Sequence, residues 1–78
     1  MPKITELYCY IAEDAGPEDE GVAAFLGPGG MWMPMVGADK VRMEALRPMA
    51  LTIATQLGKP LRLVRFTRRE ELELVKPQ

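Results

Sequence analysis

Three methionines at alternate positions, Met31, Met33 and Met35, are the residues whose type and spacing most directly suggest chemistry in this sequence. Thioether sulfur selects soft metal ions, so three such side chains on one strand face could bind Cu(I). Methionine is also a routine filler of irregular cores, and Met43 and Met49 would be its packing partners. We therefore interpret the methionine strip as a core strand, and we predict no metal site and no cofactor.

The acidic stretch between residues 13 and 20 is the second group with ligand chemistry. Carboxylates are the hard oxygen donors that Ca²⁺ prefers, but their spacing here does not match an EF-hand loop. The sequence instead predicts a solvated loop whose charge is partly neutralised by Arg68 and Arg69. The carboxylates belong to Glu13, Asp14, Glu18, Asp19 and Glu20.

Catalytic side chains are scarce. The chain contains no serine, histidine or asparagine, which excludes Ser-His-Asp and Cys-His catalysis and the usual imidazole base. The single cysteine, Cys9, lies between two tyrosines, and nothing nearby in the sequence would lower the pKa of its thiol. We predict an inert core thiol and a protein that is not an enzyme.

The aromatic residues Tyr8, Tyr10 and Trp32 could share one sheet face, with Arg62 nearby on the last strand. Aromatic rings beside a cation are typical of surfaces that stack nucleic-acid bases. The net charge of -1 argues against such a surface here. Nucleic-acid binding is therefore the alternative to burial of the same aromatics by a partner.

Length and composition predict that residues 1–78 form a single small α/β domain. A hydrophobic share of 47% and a charged share of 27% are typical of a folded protein rather than a disordered one. No apolar run approaches the length of a membrane span, and the N-terminal MPKITELY lacks the apolar stretch of a signal peptide. A lone cysteine fits a reducing compartment, so we expect a cytoplasmic protein.

Charge is distributed unevenly between the two halves of the chain. Residues 1–38 carry one lysine against six carboxylates, whereas residues 39–78 carry nine lysines and arginines against five carboxylates. This asymmetry indicates either a basic face for nucleic acid or pairing of charges between the halves.

The elements that must position these residues follow the order β-β-β-α-β. Alternating residues predict the strands, and the turn Gly27-Pro28-Gly29-Gly30 predicts a hairpin between the second and the third. Pro34 cannot donate a ladder hydrogen bond, so the third strand belongs at a sheet edge. The predicted strands span residues 4–12, 21–27, 31–36 and 60–66.

A helix is predicted over residues 39–57, with Asp39 as its N-cap and Gly58 at its end. Pro48 either kinks this helix or lies in the first turn of a main helix that follows a short turn over residues 40–46.

An apolar stripe along this helix predicts the surface that packs on the sheet. The stripe comprises Leu46, Met49, Ala50, Ile53 and Leu57. We expect it to contact the sheet face formed by Leu7, Cys9, Ile11 and Leu63.

The C-terminal residues allow two interpretations. Thr67 and Glu70 match a capping box and predict a short helix over residues 68–74, whereas the alternation of residues 71–74 favours a strand. With the helix, the predicted fold class is α+β: a four-stranded mixed sheet in the order 4-1-2-3, one main helix on one face and a short C-terminal helix. This order places the acidic loop, the start of the main helix and Arg68-Arg69 at one end of the sheet.

One helix can cover only one face of a sheet, yet both alternations along the predicted strands are apolar. The second face therefore needs a cover, and two-fold pairing of identical chains is the commonest way to supply it. We predict a small cytoplasmic, non-enzymatic interaction or ligand-binding module that acts as a homodimer, with nucleic-acid binding as the alternative. A small ligand or a protein partner could bind at the rim of this face. The candidate interface residues are Tyr8, Tyr10, Trp32, Val36, Val64 and Phe66.

Overall fold

The computed structural model describes residues 3–16 and 18–78 and shows an α+β protein with antiparallel strands and two helices. In chain order the elements are β1 (Leu7–Gly16), β2 (Asp19–Val22), β3 (Ala24–Leu26), β4 (Trp32–Pro34), β5 (Val36–Gly37), α1 (Lys40–Ala45), α2 (Arg47–Leu57) and β6 (Leu61–Phe66). A 3-10 turn joins β3 to β4, and Gly29 and Gly30 supply the positive φ angles that this turn requires.

The larger sheet is built around β1. β6 pairs with β1 along residues 7–12, whereas β2 pairs with its C-terminal part and β5 with its N-terminal part. A strand has two edges, so β2 and β5 share the edge of β1 that β6 leaves open. All of these pairs are antiparallel, and β3 and β4 form a separate two-stranded antiparallel sheet.

Backbone hydrogen bonds around Tyr10 explain why the predicted strands over residues 21–27 and 31–36 are each divided in two. The Tyr10 N–H donates to the Met35 carbonyl at 3.1 Å, and the Ala23 N–H donates to the Tyr10 carbonyl at 2.8 Å. The Met35 N–H in turn donates to the Ala23 carbonyl at 2.8 Å. The β3–β4 hairpin therefore leaves the larger sheet between β2 and β5.

The predicted mixed sheet with strand order 4-1-2-3 is wrong. β5 and β6 are both antiparallel to β1, so they run in the same direction with β1 between them. The two helices thus connect parallel strands that are not neighbours, and the hydrogen-bonded pairs of the described chain are antiparallel. The crossover rule behind the prediction concerns the direction of the last strand and does not say which strand lies beside it.

The helical region follows the second of the two predicted arrangements. Asp39 caps α1 by accepting a hydrogen bond from the Val41 N–H at 2.9 Å, and Pro48 lies in the first turn of α2. Gly58 ends α2 at a φ of 68°, which a residue with a Cβ adopts only under strain. Among the described residues, no helix combines the length and apolar character needed to cross a bilayer.

The helices bury a small core on one side of the sheet. Three residues of the predicted stripe, Leu46, Ala50 and Ile53, belong to this core or pack against it. Met49 and Leu57 are exposed instead. The buried cluster comprises Tyr10, Ala23, Met35, Met43 and Ala50.

The predicted contact of the helices with Leu7, Cys9 and Ile11 is wrong, whereas Leu63 lies on the helix side as predicted. Tyr10 lies in the helix-side cluster, and its partner across β6 is Leu63. Residues directly opposite each other in antiparallel strands share a face, so Leu7, Cys9 and Ile11 point away from the helices. Side chains alternate with a period of two, so both faces looked equally suitable as the core side.

The acidic segment forms a hairpin rather than the expected loop. β1 continues to Gly16 and β2 begins at Asp19. The Asp19 carboxylate accepts a hydrogen bond from the Ala15 N–H at 3.3 Å, a local contact that favours the turn.

Residues 67–78 form neither the helix predicted over 68–74 nor the strand over 71–74. Leu72, Leu74 and Val75 are exposed. A seven-residue helix that buries no apolar face is marginal in water, and a capping box does not offset that cost.

Candidate functional site

The side of the larger sheet that faces away from the helices is the candidate functional site. Cys9 lies opposite Val36 on one edge and Val64 on the other, so these three side chains share that side. Ile11 lies opposite Val22 and belongs to the same side. We call this side the open face.

The open face continues from the larger sheet onto the β3–β4 hairpin. Phe25 packs against the helix-side core and lies opposite Met33, so Leu26 and its partner Trp32 point the other way. The alternation carries on through the buried Met35 to β5. The apolar members of the open face are Leu7, Cys9, Ile11, Val22, Ala24, Leu26, Trp32, Pro34, Val36, Val64 and Phe66.

The structure brings four of the six predicted interface residues together and separates the other two. Tyr8 and Tyr10 lie on the helix side, where the Tyr10 hydroxyl donates to the Met43 carbonyl at 3.3 Å. The expected single surface of all six residues is therefore not formed. The four that share the open face are Trp32, Val36, Val64 and Phe66.

Sequence reasoning missed Leu7, Val22 and Leu26 as members of the open face. The spacing of Val22 and Leu26 within GVAAFLG already places both on one side of a strand. The position of Leu7 on this face follows only from the pairing of β1 with β6, in which Leu7 lies opposite Phe66. The alternation was visible in the sequence, but the face that the helices cover was not.

Solvent reaches the ends of the open face more than its centre. Trp32 is 70% exposed and Leu26 is 60% exposed at the hairpin, and Phe66 is 53% exposed at the end of β6. Cys9 and Ile11 are buried in the middle of the face, opposite Val64 and Val22 respectively. The open face is therefore a continuous apolar surface with a closely packed centre.

The Cys9 thiol is a weak nucleophile in this setting. Burial raises the pKa of its thiol above the ordinary value, and the negative charge of Glu20 raises it further. The thiol stays protonated at neutral pH, and a protonated thiol is a poor nucleophile.

Tyr8 is tied to its own neighbours on the helix side. Its hydroxyl donates to Oε2 of Glu6 at 2.6 Å, and Nε of Arg65 lies 3.9 Å from the same oxygen. The hydrogen bond to Glu6 is the main cause of a raised Tyr8 pKa, burial and the Glu6 charge add to it, and Arg65 opposes it. With Tyr10 buried as well, the expected base-stacking platform of Tyr8, Tyr10 and Trp32 is not formed.

The prediction that the methionine strip is a core strand holds for only one of its three methionines, because their surroundings differ. Met35 is fully buried in the core, whereas Met31 is exposed at the hairpin. Met33 lies over Gly27, where an added Cβ would be only 2.7 Å from its Cγ. Within the described residues, no group of three or more His, Cys, Asp or Glu side chains could hold a metal ion.

The acidic end of the open face lies at the C-terminal end of β1. Glu13 and Glu20 are directly opposite each other there. Arg62 reaches Glu13 with an Nη2 to Oε1 distance of 3.2 Å, and Lys59 donates to the Asp14 carbonyl at 2.6 Å. These two cations, rather than Arg68 and Arg69, are the ones beside the acidic segment.

The predicted neutralisation of the acidic segment by Arg68 and Arg69 is wrong, because β6 runs antiparallel to β1. β6 ends beside Leu7, so the two arginines lie at the far end of the sheet, where Arg69 donates to the Ile4 carbonyl at 3.2 Å. The start of α1 is likewise not grouped with the acidic segment, since β5 pairs with the N-terminal part of β1.

A groove of about 530 Å³ marks the basic end. It lies between residues 3–7 and residues 66–70, and its walls include three cations, Lys3, Arg68 and Arg69, and two carboxylates, Glu6 and Glu70. Leu7 and Phe66 also line it, so the groove is continuous with the open face.

Comparison with known protein families, curated proteins and solved structures finds no match to this chain.

Proposed function

We propose that this chain is a small cytoplasmic, non-enzymatic interaction module that acts as a homodimer through its open face. The observation that carries the proposal is the open face itself, which is apolar along β1, on the strands at its other edge, on the hairpin and on β6 apart from Arg62. The helices lie on the other side of the sheet.

The exposed apolar area supports the proposal. Monomeric proteins seldom expose contiguous apolar patches larger than a few hundred Å². Five large apolar side chains of the open face are each between 45% and 70% exposed: Leu7, Val22, Leu26, Trp32 and Phe66. Tryptophan is also among the side chains that most often anchor protein interfaces.

The dimensions of the single chain point the same way. Its accessible surface of 6772 Å² exceeds the value of about 4,700 Å² expected for a compact monomer of 8.7 kDa. Its radius of gyration is 14.6 Å, against about 11.5 Å for a compact chain of this length. Residues 67–78, which are exposed and lie outside the helices and strands, account for part of the excess, but a standard interface needs only about 800 Å² from each partner.

A second copy is the occupant that fits best, because closed two-fold pairing presents the same patch on both partners. An apolar patch that faces its own copy is self-complementary without any further requirement on sequence. The groove at the basic end lies on the rim of the paired surface, where a small ligand would bind.

Light scattering over a concentration series tests the proposal. We expect a particle of twice 8.7 kDa at high protein concentration. The double variant Leu26→Glu/Trp32→Glu should be monomeric at the same concentration, since both side chains are exposed and their replacement leaves the core intact. Leu51→Glu is the matched control, because Leu51 is equally exposed but lies on α2.

A wild-type chain that remains a monomer at high concentration would overturn the proposal. So would a dimer that Leu51→Glu dissociates and the double variant does not, because its interface would then lie on the helix side.

A further inference from the structure

The open face carries basic, apolar and acidic side chains at different positions along β1. The groove with Lys3, Arg68 and Arg69 lies at the N-terminal end of the strand. The apolar rows follow, and Glu13 and Glu20 lie at the other end. The face therefore changes from basic to apolar to acidic in one direction, with Arg62 beside Ile11 where the apolar rows meet the acidic end.

The carboxylates at the acidic end of the open face repel each other within a single chain. Glu13 and Glu20 are directly opposite each other, a position in which like charges repel. Arg62 approaches Glu13, but its side chain is largely exposed and such a pair contributes little. Among the residues that the structure describes, no cation forms an ion pair with Glu20.

The basic end has the complementary property. Arg69 donates to a backbone carbonyl, and Arg68 lies 3.9 Å from Glu70, with its side chain 92% exposed. In the described part of the chain, neither Lys3 nor Arg69 forms an ion pair with a carboxylate. Arg65 and Arg68 lie beside the two carboxylates of the groove, Glu6 and Glu70, so the groove offers Lys3 and Arg69 to an incoming acidic surface.

The two ends cannot meet within one chain. From Leu7 to Glu13 the strand extends about 20 Å, at roughly 3.3 Å per residue. A two-fold axis perpendicular to β1 would place the acidic end of each copy over the basic groove of the other. An axis parallel to β1 would bring the two Glu13–Glu20 pairs together, and the resulting repulsion disfavours that arrangement.

We infer that two copies of this chain pair with their β1 strands antiparallel across the open face, so that Glu13 and Glu20 of each copy dock on the Lys3, Arg68 and Arg69 groove of the other. This inference rests on the proposed function and adds the orientation and the polar contacts of the dimer. Acidic residues from the first half of each copy then face the basic groove of the other, and this contact occurs twice in each dimer.

A charge-swap experiment tests the orientation with full-length chains. The first variant, Arg68→Glu/Arg69→Glu, makes both ends acidic, and the second, Glu18→Lys/Glu20→Lys, makes both ends basic. The second variant also relieves the repulsion between Glu13 and Glu20, so weaker association could not be attributed to loss of the fold. Glu44→Lys and Arg47→Glu are matched controls, because both residues are exposed on the helical side.

Each charge-swapped variant should dimerise more weakly than the wild type by about tenfold or more, because like charges then face each other at two contacts. An equimolar mixture of the two should form heterodimers in excess of the statistical proportion, since both contacts become opposite in charge again. Native mass spectrometry measures that proportion, and the control variants should leave it statistical.

The outcomes separate this inference from the function on which it rests. If Leu26→Glu/Trp32→Glu dissociates the dimer but the charge-swapped variants do not weaken it, the open face is the interface and the antiparallel orientation is wrong. If Glu18→Lys/Glu20→Lys dimerises more tightly than the wild type, the two β1 strands are parallel to each other. That result would also overturn the inference. A chain that does not dimerise at all removes the proposed function itself.

Discussion

The two sides of the sheet have similar apolar composition and different cover. On the helix side Met35 and Met43 are completely buried, whereas on the open face Trp32 and Phe66 are more than half exposed. Apolar alternation therefore reports that a face will be covered, but not what covers it. The helix side stabilises the single chain, whereas the exposed side chains at the ends of the open face can be buried only in an assembly.

The largest expected effect comes from the helix side. Replacing Met43 by alanine should lower the free energy of unfolding by about 2 to 5 kcal/mol, because the side chain is fully buried and leaves a cavity. Val22→Ala on the open face should cost less than about 1 kcal/mol in protein dilute enough to be monomeric, since half of the valine is already in water. Urea unfolding followed by circular dichroism measures both.

If Met43→Ala and Val22→Ala lower the free energy of unfolding equally in dilute protein, the two sides of the sheet do not differ in cover. The open face would then already be covered within the single chain, and the case for a partner would be lost.

The end of α2 provides a smaller test of the helix-side cover. Gly58→Ala should cost about 1 kcal/mol, because Gly58 has a φ of 68° and a Cβ is strained in the left-handed region. Gly21→Ala is a suitable control, since an added Cβ at Gly21 meets nothing within 4 Å and its φ is not positive. The same urea titration applies, and a stabilising Gly58→Ala would contradict the cap.

The local features of the fold could be predicted from the sequence. The Asp39 cap, the first-turn position of Pro48 and the glycine end at Gly58 each depend on one residue and its immediate neighbours. Their physical causes, a side-chain acceptor, a fixed φ and a missing Cβ, act within a few residues. Such features are confirmed regardless of how the strands are arranged.

The arrangement of the strands could not be predicted in the same way. The position of β1 between β5 and β6 depends on pairing between residues far apart in the sequence. That one arrangement decides both which face the helices cover and which end of the sheet receives Arg68 and Arg69. Four interface candidates still fell on one face, because alternation within a strand needs no knowledge of its partners.

The thiol of Cys9 reports on the packing at the centre of the open face within the single chain. Because burial and Glu20 raise its pKa, we expect it to react with an aromatic disulfide reagent more slowly than a free cysteine at pH 8. Cys9 is already buried within the single chain, so we expect the rate to change little when the protein is diluted. The Leu26→Glu/Trp32→Glu variant should react equally slowly, and a rate as fast as that of a free cysteine in either protein would show that the centre of the face is open to solvent.

The smallest effect concerns Tyr8, on the helix side of the same strand. Its hydroxyl donates to Glu6, so the folded chain favours the neutral phenol and the pKa of Tyr8 lies above that of an ordinary tyrosine. The sign of the linkage follows: this contribution to stability is fully present below the unfolded pKa of about 10 and is lost as the pH rises through the higher folded pKa. Ultraviolet absorbance titration of Glu6→Gln should show one tyrosine ionising at lower pH than in the wild type. Glu70→Gln is the control, because Glu70 lies beside Arg68, and a Tyr8 titration that Glu6→Gln leaves unchanged would show that the carboxylate does not hold the phenol in its neutral form.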